Sequence, residues 1–263
     1  MTEPAPGTGS DPAMIKTTAV RDGDDFIING HKWFSTGADG AGFFIIMAVT
    51  DPDADWRVGA TMFLAPADTP GIEMVRRVPV MGAEAPGGHG EMKFHDVRLP
   101  ASAILGSEGA AMMQAQARLG PARLTHCMRW LGIAQRALEI ATQHATEREA
   151  FGSKLSYHQA IQWMIADSET EIHAGRLMIQ HAAWLIHEKG DPGRAETSMT
   201  KTFVAETVNR VLDRAIQICG AKGISRDLPL SQWYEEARAF RIYDGASEVH
   251  RMVVARQAIK KYR

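Results

Sequence analysis

The chain has 263 residues, enough for one or two domains. Hydrophobic residues make up 45% and charged residues 23%, so a packed core can form and wholesale disorder is excluded. Lys plus Arg minus Asp plus Glu is 29 − 31 = −2, a balance with no polyelectrolyte drive toward nucleic acid or an anionic membrane. Two cysteines, Cys127 and Cys219, cannot build a disulfide framework or a zinc ribbon. The apolar run Phe43–Val49 is far short of the roughly 20 residues of a membrane span. The opening residues lack a basic stretch followed by an apolar one, so no secretory signal is visible and a soluble cytoplasmic protein is expected.

The texture changes near residue 108. Before it, short apolar runs alternate with turn residues. Phe26-Ile27-Ile28 leads into Asn29-Gly30, a hairpin signal because both residues tolerate positive φ. Strands are expected at Phe43–Val49, Ala60–Ala65, Ile72–Val75, Val78–Met81 and Glu91–Val97. After Gly109, apolar residues recur at helical spacing. A helix is expected from Pro121, in its first turn, to about Glu149, with Leu124, Met128, Leu131, Gln135, Leu138 and Thr142 on one stripe. A second should run from Tyr157 to Glu188, carrying Ile161, Ile165, Ile172, Leu177, Ile179, Ala183 and Ile186. A third should run from Ala195 to Cys219 with Gly220 as its C-terminal cap, and shorter helices should cover 230–240 and 246–262. The expected class is α+β: an antiparallel β-sandwich or barrel over residues 1–108, then an up-and-down helical bundle over 109–263.

Walker A, HExxH, CxxC and Gly-x-Ser-x-Gly patterns are absent, and no metal site is expected, His126-Cys127 being a bare pair. The Gly-rich loop Gly7–Asp11 reads as a surface turn or as a cradle of backbone N–H groups for a phosphate. Along Trp33–Thr36, strand alternation sends Phe34 and Thr36 to one side, where a flat cofactor could find a stacking ring beside a hydroxyl; a half-buried edge strand would look the same. In Ile242–Arg251, Asp244 or Ser247 could cap the final helix, or Asp244 could serve as a carboxylate base.

Taken together these segments resemble one family, the flavin-dependent acyl-CoA dehydrogenases. Thr2-Glu3-Pro4 with Gly7 and Gly9-Ser10-Asp11 is similar to the family's TEPxxGSD loop, two residues longer here. Asn29–Thr36 resembles its NGxKxWIT strand, and Glu147–Gly152 its ERxxFG segment. Tyr157–Ile161, Gln217–Gly223 and 242–251 complete the series, in order and along the whole chain. Ala85–Glu91, Arg118–Arg123 and His126–Arg129 look closest to the branch of family members ten and eleven.

The resemblance implies a middle β domain followed by a C-terminal four-helix bundle, as in a family member without its first helical domain. It implies FAD as cofactor, with Thr2, Phe34, Ser35 and Thr36 against the isoalloxazine ring. Arg148 and Phe151 match residues that reach the dinucleotide of a neighbouring subunit, and Gln217, Gly220 and Ala221 match a segment closing on the same cofactor. Ala246, where many members have Thr, and Glu248 complete the cofactor set. Ser10, Arg123, Tyr243 and Gly245 match positions around the acyl-CoA, and Asp244 falls at the catalytic glutamate. The implied reaction is α,β-dehydrogenation of an acyl-CoA thioester to a trans-2-enoyl-CoA, with hydride transfer to FAD N5. The implied partners are an electron-transfer flavoprotein and further copies of the chain, as homodimer or homotetramer. Two other readings stay open: a nitroalkane-oxidase-like flavoenzyme, which also uses an Asp base, and a non-catalytic flavin-binding or oligomerising fragment.

Overall fold

The computed structural model describes residues 1–82, 85–189 and 194–263, the Arg194 side chain excepted. The chain divides into two compact units, Met1–Arg118 and Leu119–Arg263.

The first unit is a six-stranded sheet: β1 (Thr18–Asp22), β2 (Asp25–Thr36), β3 (Phe43–Val49), β4 (Ala60–Pro66), β5 (Ile72–Arg77) and β6 (His89–Pro100). Its order is β4-β3-β1-β2-β6-β5. All neighbours are antiparallel except β1 and β3, whose parallel contact is the pair Thr18 and Val49. Alternating residues of β2, β4 and β6 bury Phe26, Ile28, Phe63, Met92, Phe94, Val97 and Leu99 in one cluster.

Two strand expectations are corrected. Asn29-Gly30 is no hairpin; β2 runs straight through it, and the reversal sits at Gly23-Asp24, where Gly23 has φ +63°. Asn29-Gly30 instead makes a bulge. Asn29 exchanges side-chain bonds of 2.9 Å with the Asp96 carboxylate and N–H, and a Cβ on Gly30 would lie 2.3 Å from Thr17 Oγ1. Val78–Met81 is no strand either. Val78 N–H still donates to His89 O, but Pro79 has no N–H to continue the ladder.

The helices are α1 (Ala111–Glu147), α2 (Gln159–Lys189), α3 (Arg194–Cys219), α4 (Ala221–Ile224), α5 (Leu230–Phe240) and α6 (Ser247–Lys260). A two-residue hairpin, β7 (Glu149–Ala150) with β8 (Ser153–Lys154), follows α1. Helix α1 starts at Ala111, so Pro121 lies inside it and not in its first turn. The early turns form because Ala111, Met112 and Ala115 are buried with Ile15, Met47 and Ala60. Tertiary burial of this kind outweighs the roughly 3 kcal/mol that an interior proline costs a helix.

In the second unit the buried stripe of α1 is Leu124, Cys127, Leu131, Ala134, Leu138, Ala141 and Ala145, a spacing of threes and fours. Met128, expected on that stripe, is exposed, as are Leu177 and Ala183 of the stripe expected on α2. Helix α3 contributes Val204, Val208, Val211, Leu212 and Ala215 to the core and packs against α2, α5 and α6. It ends at Gly220, whose φ is +58° and whose N–H bonds to Ile216 O, as a C-terminal cap should.

Candidate active site

The turn between α5 and α6 contains two consecutive residues with positive φ, Asp244 at +55° and Gly245 at +98°. Glycine accepts this freely; Asp is one of the few side chains that tolerates it, at a cost of about 1–2 kcal/mol. Three side chains from three helices hold the turn by its carbonyl oxygens. Lys201 Nζ of α3 donates to Phe240 O at 2.7 Å and to Gly245 O at 2.8 Å. Arg123 Nε of α1 donates to Asp244 O at 2.9 Å. His250 of α6 places Nε2 3.1 Å from the same oxygen and Nδ1 3.1 Å from Ser198 Oγ.

A carbonyl can only accept, so Nε2 of His250 carries the proton and Nδ1 accepts from the Ser198 hydroxyl. Burial lowers the pKa of His250 to about 4, in keeping with that neutral tautomer. Gly245 is needed for room as well as for φ: a Cβ there would lie 2.7 Å from His250 Nε2. Burial also lowers Lys201 to about 8 and holds Arg123 below its usual value, while the thiol of Cys127 is pushed up to about 12 and is inert.

With its backbone fixed, Asp244 holds a side chain that is 18% exposed, its Oδ2 lying 3.3 Å from His126 Nε2. Around it stand aromatic rings. Tyr243 packs edge-on to His126 at 5.3 Å and lies 5.4 Å from Phe240. The Tyr243 hydroxyl accepts from Trp130 Nε1 and Arg129 Nη2, and burial raises its pKa. Neither Asp244 nor Ser247 caps α6: the capping position is Ala246, and no side chain bonds there. The Asp244 carboxylate is therefore not spent on capping the helix.

In the sheet unit, a bulge between Lys32 and Ser35 puts Phe34 at φ +53° with 44% of its surface exposed. Phe34 and Thr36 do share a side, since His89 meets both: its ring is 5.9 Å from that of Phe34, and its Nδ1 is 2.9 Å from Thr36 Oγ1. Trp33 packs edge-on to Phe34 at 4.9 Å, and its N–H donates to Thr2 O at 3.1 Å. The indole Nε1 of Trp33 is buried and meets no acceptor among the described residues. An exposed ring flanked by hydroxyls and an unspent donor suits a flat heteroaromatic group rich in acceptors.

The Gly7–Asp11 loop is folded on itself. Gly7 N–H donates to Pro4 O, Glu3 N–H to Thr8 O and Thr8 Oγ1 to Asp11 O, leaving Ser10 exposed. Elsewhere, Arg148 is exposed and Phe151, on the β7–β8 turn, is 98% exposed. Gln217, Gly220 and Ala221 are also exposed, at the α3–α4 junction, and Glu248 faces solvent 3.6 Å from Arg251. The structure thus gathers Arg123, Tyr243, Asp244 and Gly245 into one site with Ala246 adjoining, and leaves Ser10, Arg148, Phe151, Gln217, Gly220, Ala221 and Glu248 on the surface.

Sequence reasoning gave Lys201 and His250 no role at the site and met His126 only in a bare His-Cys pair and in a branch-like motif. Lys201 could have been found: it stands three residues before Val204 and seven before Val208, on the buried stripe of α3.

A family profile described as the acyl-CoA dehydrogenase C-terminal domain matches residues 109–259, and the middle-domain profile matches residues 1–97. This chain belongs to the acyl-CoA dehydrogenase family. FadE2 of Mycobacterium tuberculosis is 44% identical over 99% of the chain, which spans 65% of that protein. Acyl-CoA dehydrogenase family member 11 of Gallus gallus is 40% identical over 97% of the chain, which spans 34% of it. The FAD complex of PigA superimposes with a TM-score of 0.91 at 28% identity, covering 98% of this chain and 66% of that one. Among the described residues no helix is long and apolar enough to cross a membrane.

Proposed function

We propose that this chain is the middle and C-terminal part, residues 1–108 and 109–263, of an FAD-dependent acyl-CoA dehydrogenase that converts an acyl-CoA thioester to the trans-2-enoyl-CoA. The observation that carries the reading is the clamped turn bearing Asp244. Three donors, two of them buried, fix its backbone, and the carboxylate is the group left to act. Asp244 takes the proton from the carbon next to the thioester carbonyl. That proton is only weakly acidic, so the base must be aligned in advance; an error of about 1 Å costs about a hundredfold.

Thr2, Phe34, Ser35 and Thr36 would hold the ring of FAD, supported by the exposed Phe34 face and the unspent Trp33 donor. When bound, FAD supplies the acceptor for the β-hydride. Arg148 and Phe151, with Gln217, Gly220 and Ala221, serve the cofactor of a second copy; an aromatic side chain 98% exposed in one chain fits a contact made by another. A homodimer or homotetramer follows, with an electron-transfer flavoprotein as the onward acceptor. Arg123, Ser10, Tyr243 and Gly245 belong to the acyl-CoA side, and Ala246 and Glu248 to the cofactor side.

The test is the flavin absorbance of the purified protein under anaerobic addition of a panel of acyl-CoAs. Bleaching by one or more of them is expected, and Asp244→Asn should retain FAD while bleaching about 10²–10⁴-fold more slowly. Peroxide formed from a nitroalkane with no response to any acyl-CoA would replace this reading.

A further inference from the structure

We infer that His126 is the positioning residue of the Asp244 carboxylate: its Nε2–H holds Oδ2, so that Oδ1 is the oxygen presented to the substrate. The inference rests on the reading of Asp244 as the base. The backbone clamp leaves one freedom unsettled. Arg123, Lys201 and His250 all bond carbonyl oxygens, which fixes the chain at Asp244 but not the rotation of its carboxylate. That terminal torsion is intrinsically broad and two-fold, so the two oxygens can exchange places. A donor on one oxygen ends the equivalence.

His126 is placed to be that donor. Its Nε2 lies 3.3 Å from Oδ2, an ion-pair contact that is not yet aligned as a hydrogen bond. Contacts of this kind are often long before substrate binds and shorten in the working complex. The ring itself is held. It packs edge-on to Tyr243 at 5.3 Å and tilts against Phe240 at 6.4 Å. His126 also lies three residues after Arg123 on α1, so both project from one face. One stretch of helix therefore addresses the carbonyl and the carboxylate of the same residue. The arrangement answers a need of this chain in particular. Asp is one methylene shorter than the glutamate expected at this position, and a short base has less reach to correct a wrong orientation.

Two substitutions separate holding from packing. His126→Phe keeps a ring against Tyr243 and Phe240 but has no donor; His126→Gln places an amide N–H near where Nε2 stood. His126→Phe should lower the rate of anaerobic bleaching about a hundredfold at saturating acyl-CoA, with KM unchanged within about twofold, and His126→Gln should restore it to within about tenfold of wild type. A His126→Phe rate equal to wild type, or a His126→Gln rate as low as that of His126→Phe, overturns the proposal.

A second readout does not depend on turnover. In the ¹⁵N-histidine spectrum of the protein, the signal absent from His126→Phe identifies the residue. A slowly exchanging Nε2–H is expected in wild type and should be lost in Asp244→Gly, which tolerates the positive φ without a carboxylate. Persistence of that signal in Asp244→Gly, or a wild-type ring protonated on Nδ1 alone, overturns the proposal as well. If no acyl-CoA bleaches the wild type, the proposed function fails while the spectra still decide whether His126 holds Asp244.

Discussion

Each half of the chain buries a lysine, and the two are solved differently. Lys32 of β2 is 4% exposed and lies 2.7 Å from Glu3 Oε1. That carboxylate is saturated, taking Lys16 N–H at 2.7 Å, Thr17 N–H at 3.0 Å and Thr17 Oγ1 at 2.7 Å besides. Lys201 of α3 is wholly buried and is met by two carbonyl oxygens and the face of Phe240, 4.9 Å away. Burial lowers both amines; at Lys32 the negative Glu3 opposes it, whereas Lys201 falls to about 8. The sealed ion pair fastens the N-terminal loop to the sheet. The carbonyl cradle leaves a positive charge under-compensated and obtains, in exchange, a fixed turn under Asp244. One is anchorage, the other alignment.

The comparison is broken most sharply by removing each amine. Lys32→Met strands the Glu3 carboxylate in the interior, and loss of one partner from a buried pair costs about 3–5 kcal/mol. The urea midpoint should fall accordingly, and Glu3→Gln added to Lys32→Met should recover much of it. Lys201→Met orphans two carbonyl oxygens, about 1–3 kcal/mol for each group left unbonded, but also removes an uncompensated charge, so its net loss should be the smaller of the two. Its signature lies elsewhere: acyl-CoA bleaching should drop while FAD content holds, because the turn under Asp244 has lost its staple. A Lys201→Met protein less stable than Lys32→Met yet fully active would reverse the assignment of roles.

Much of this was legible beforehand, and the failures share a cause. The strands β3 and β4 and the helices α2, α3 and α5 follow from local punctuation and period, because nothing distant contradicts it. Asn29-Gly30 and Pro121 carry strong local signals that tertiary contacts override: the Asn29–Asp96 bonds absorb the first, and burial of Ala111, Met112 and Ala115 the second. At the site, the family motif singles out Asp244, but its neighbours His126, Lys201 and His250 come from three helices at separations of 118, 43 and 6 residues (244 − 126, 244 − 201 and 250 − 244). No single window along the chain joins all of them: His250 shares the 242–251 segment with Asp244, but His126 and Lys201 reach it only by packing.

Acid should read out the sheet half. Glu3 is held down to about 2 in the fold: burial opposes its charge, but Lys32, Thr17 and the Lys16 N–H outweigh that. A carboxylate depressed by folding contributes stability that is full above its unfolded value of 4.5 and is lost as pH falls toward about 2. Glu3→Gln should flatten that limb of the urea-midpoint profile.

The smallest effect is at the other end of the scale, and its sign is opposite to the usual expectation for a lysine. Lys201 loses its proton near pH 8 in the fold and near 10.5 when unfolded, so between those values the unfolded chain binds more protons. Stability from this residue therefore rises with pH, by about 1 kcal/mol between pH 8 and pH 9. The window must stop there. Cys127, at about 12 in the fold against 9.0 unfolded, pulls the other way once the unfolded thiol ionises, and the raised Cys219 and Tyr243 add to it. Urea midpoints measured from pH 7.5 to 9 should climb more steeply in wild type than in Lys201→Met, since the buried α-amine of Met1, lowered to about 5, adds the same rise to both. Equal slopes in the two proteins would mean that the buried amine is already compensated, and the contrast with Lys32 would disappear.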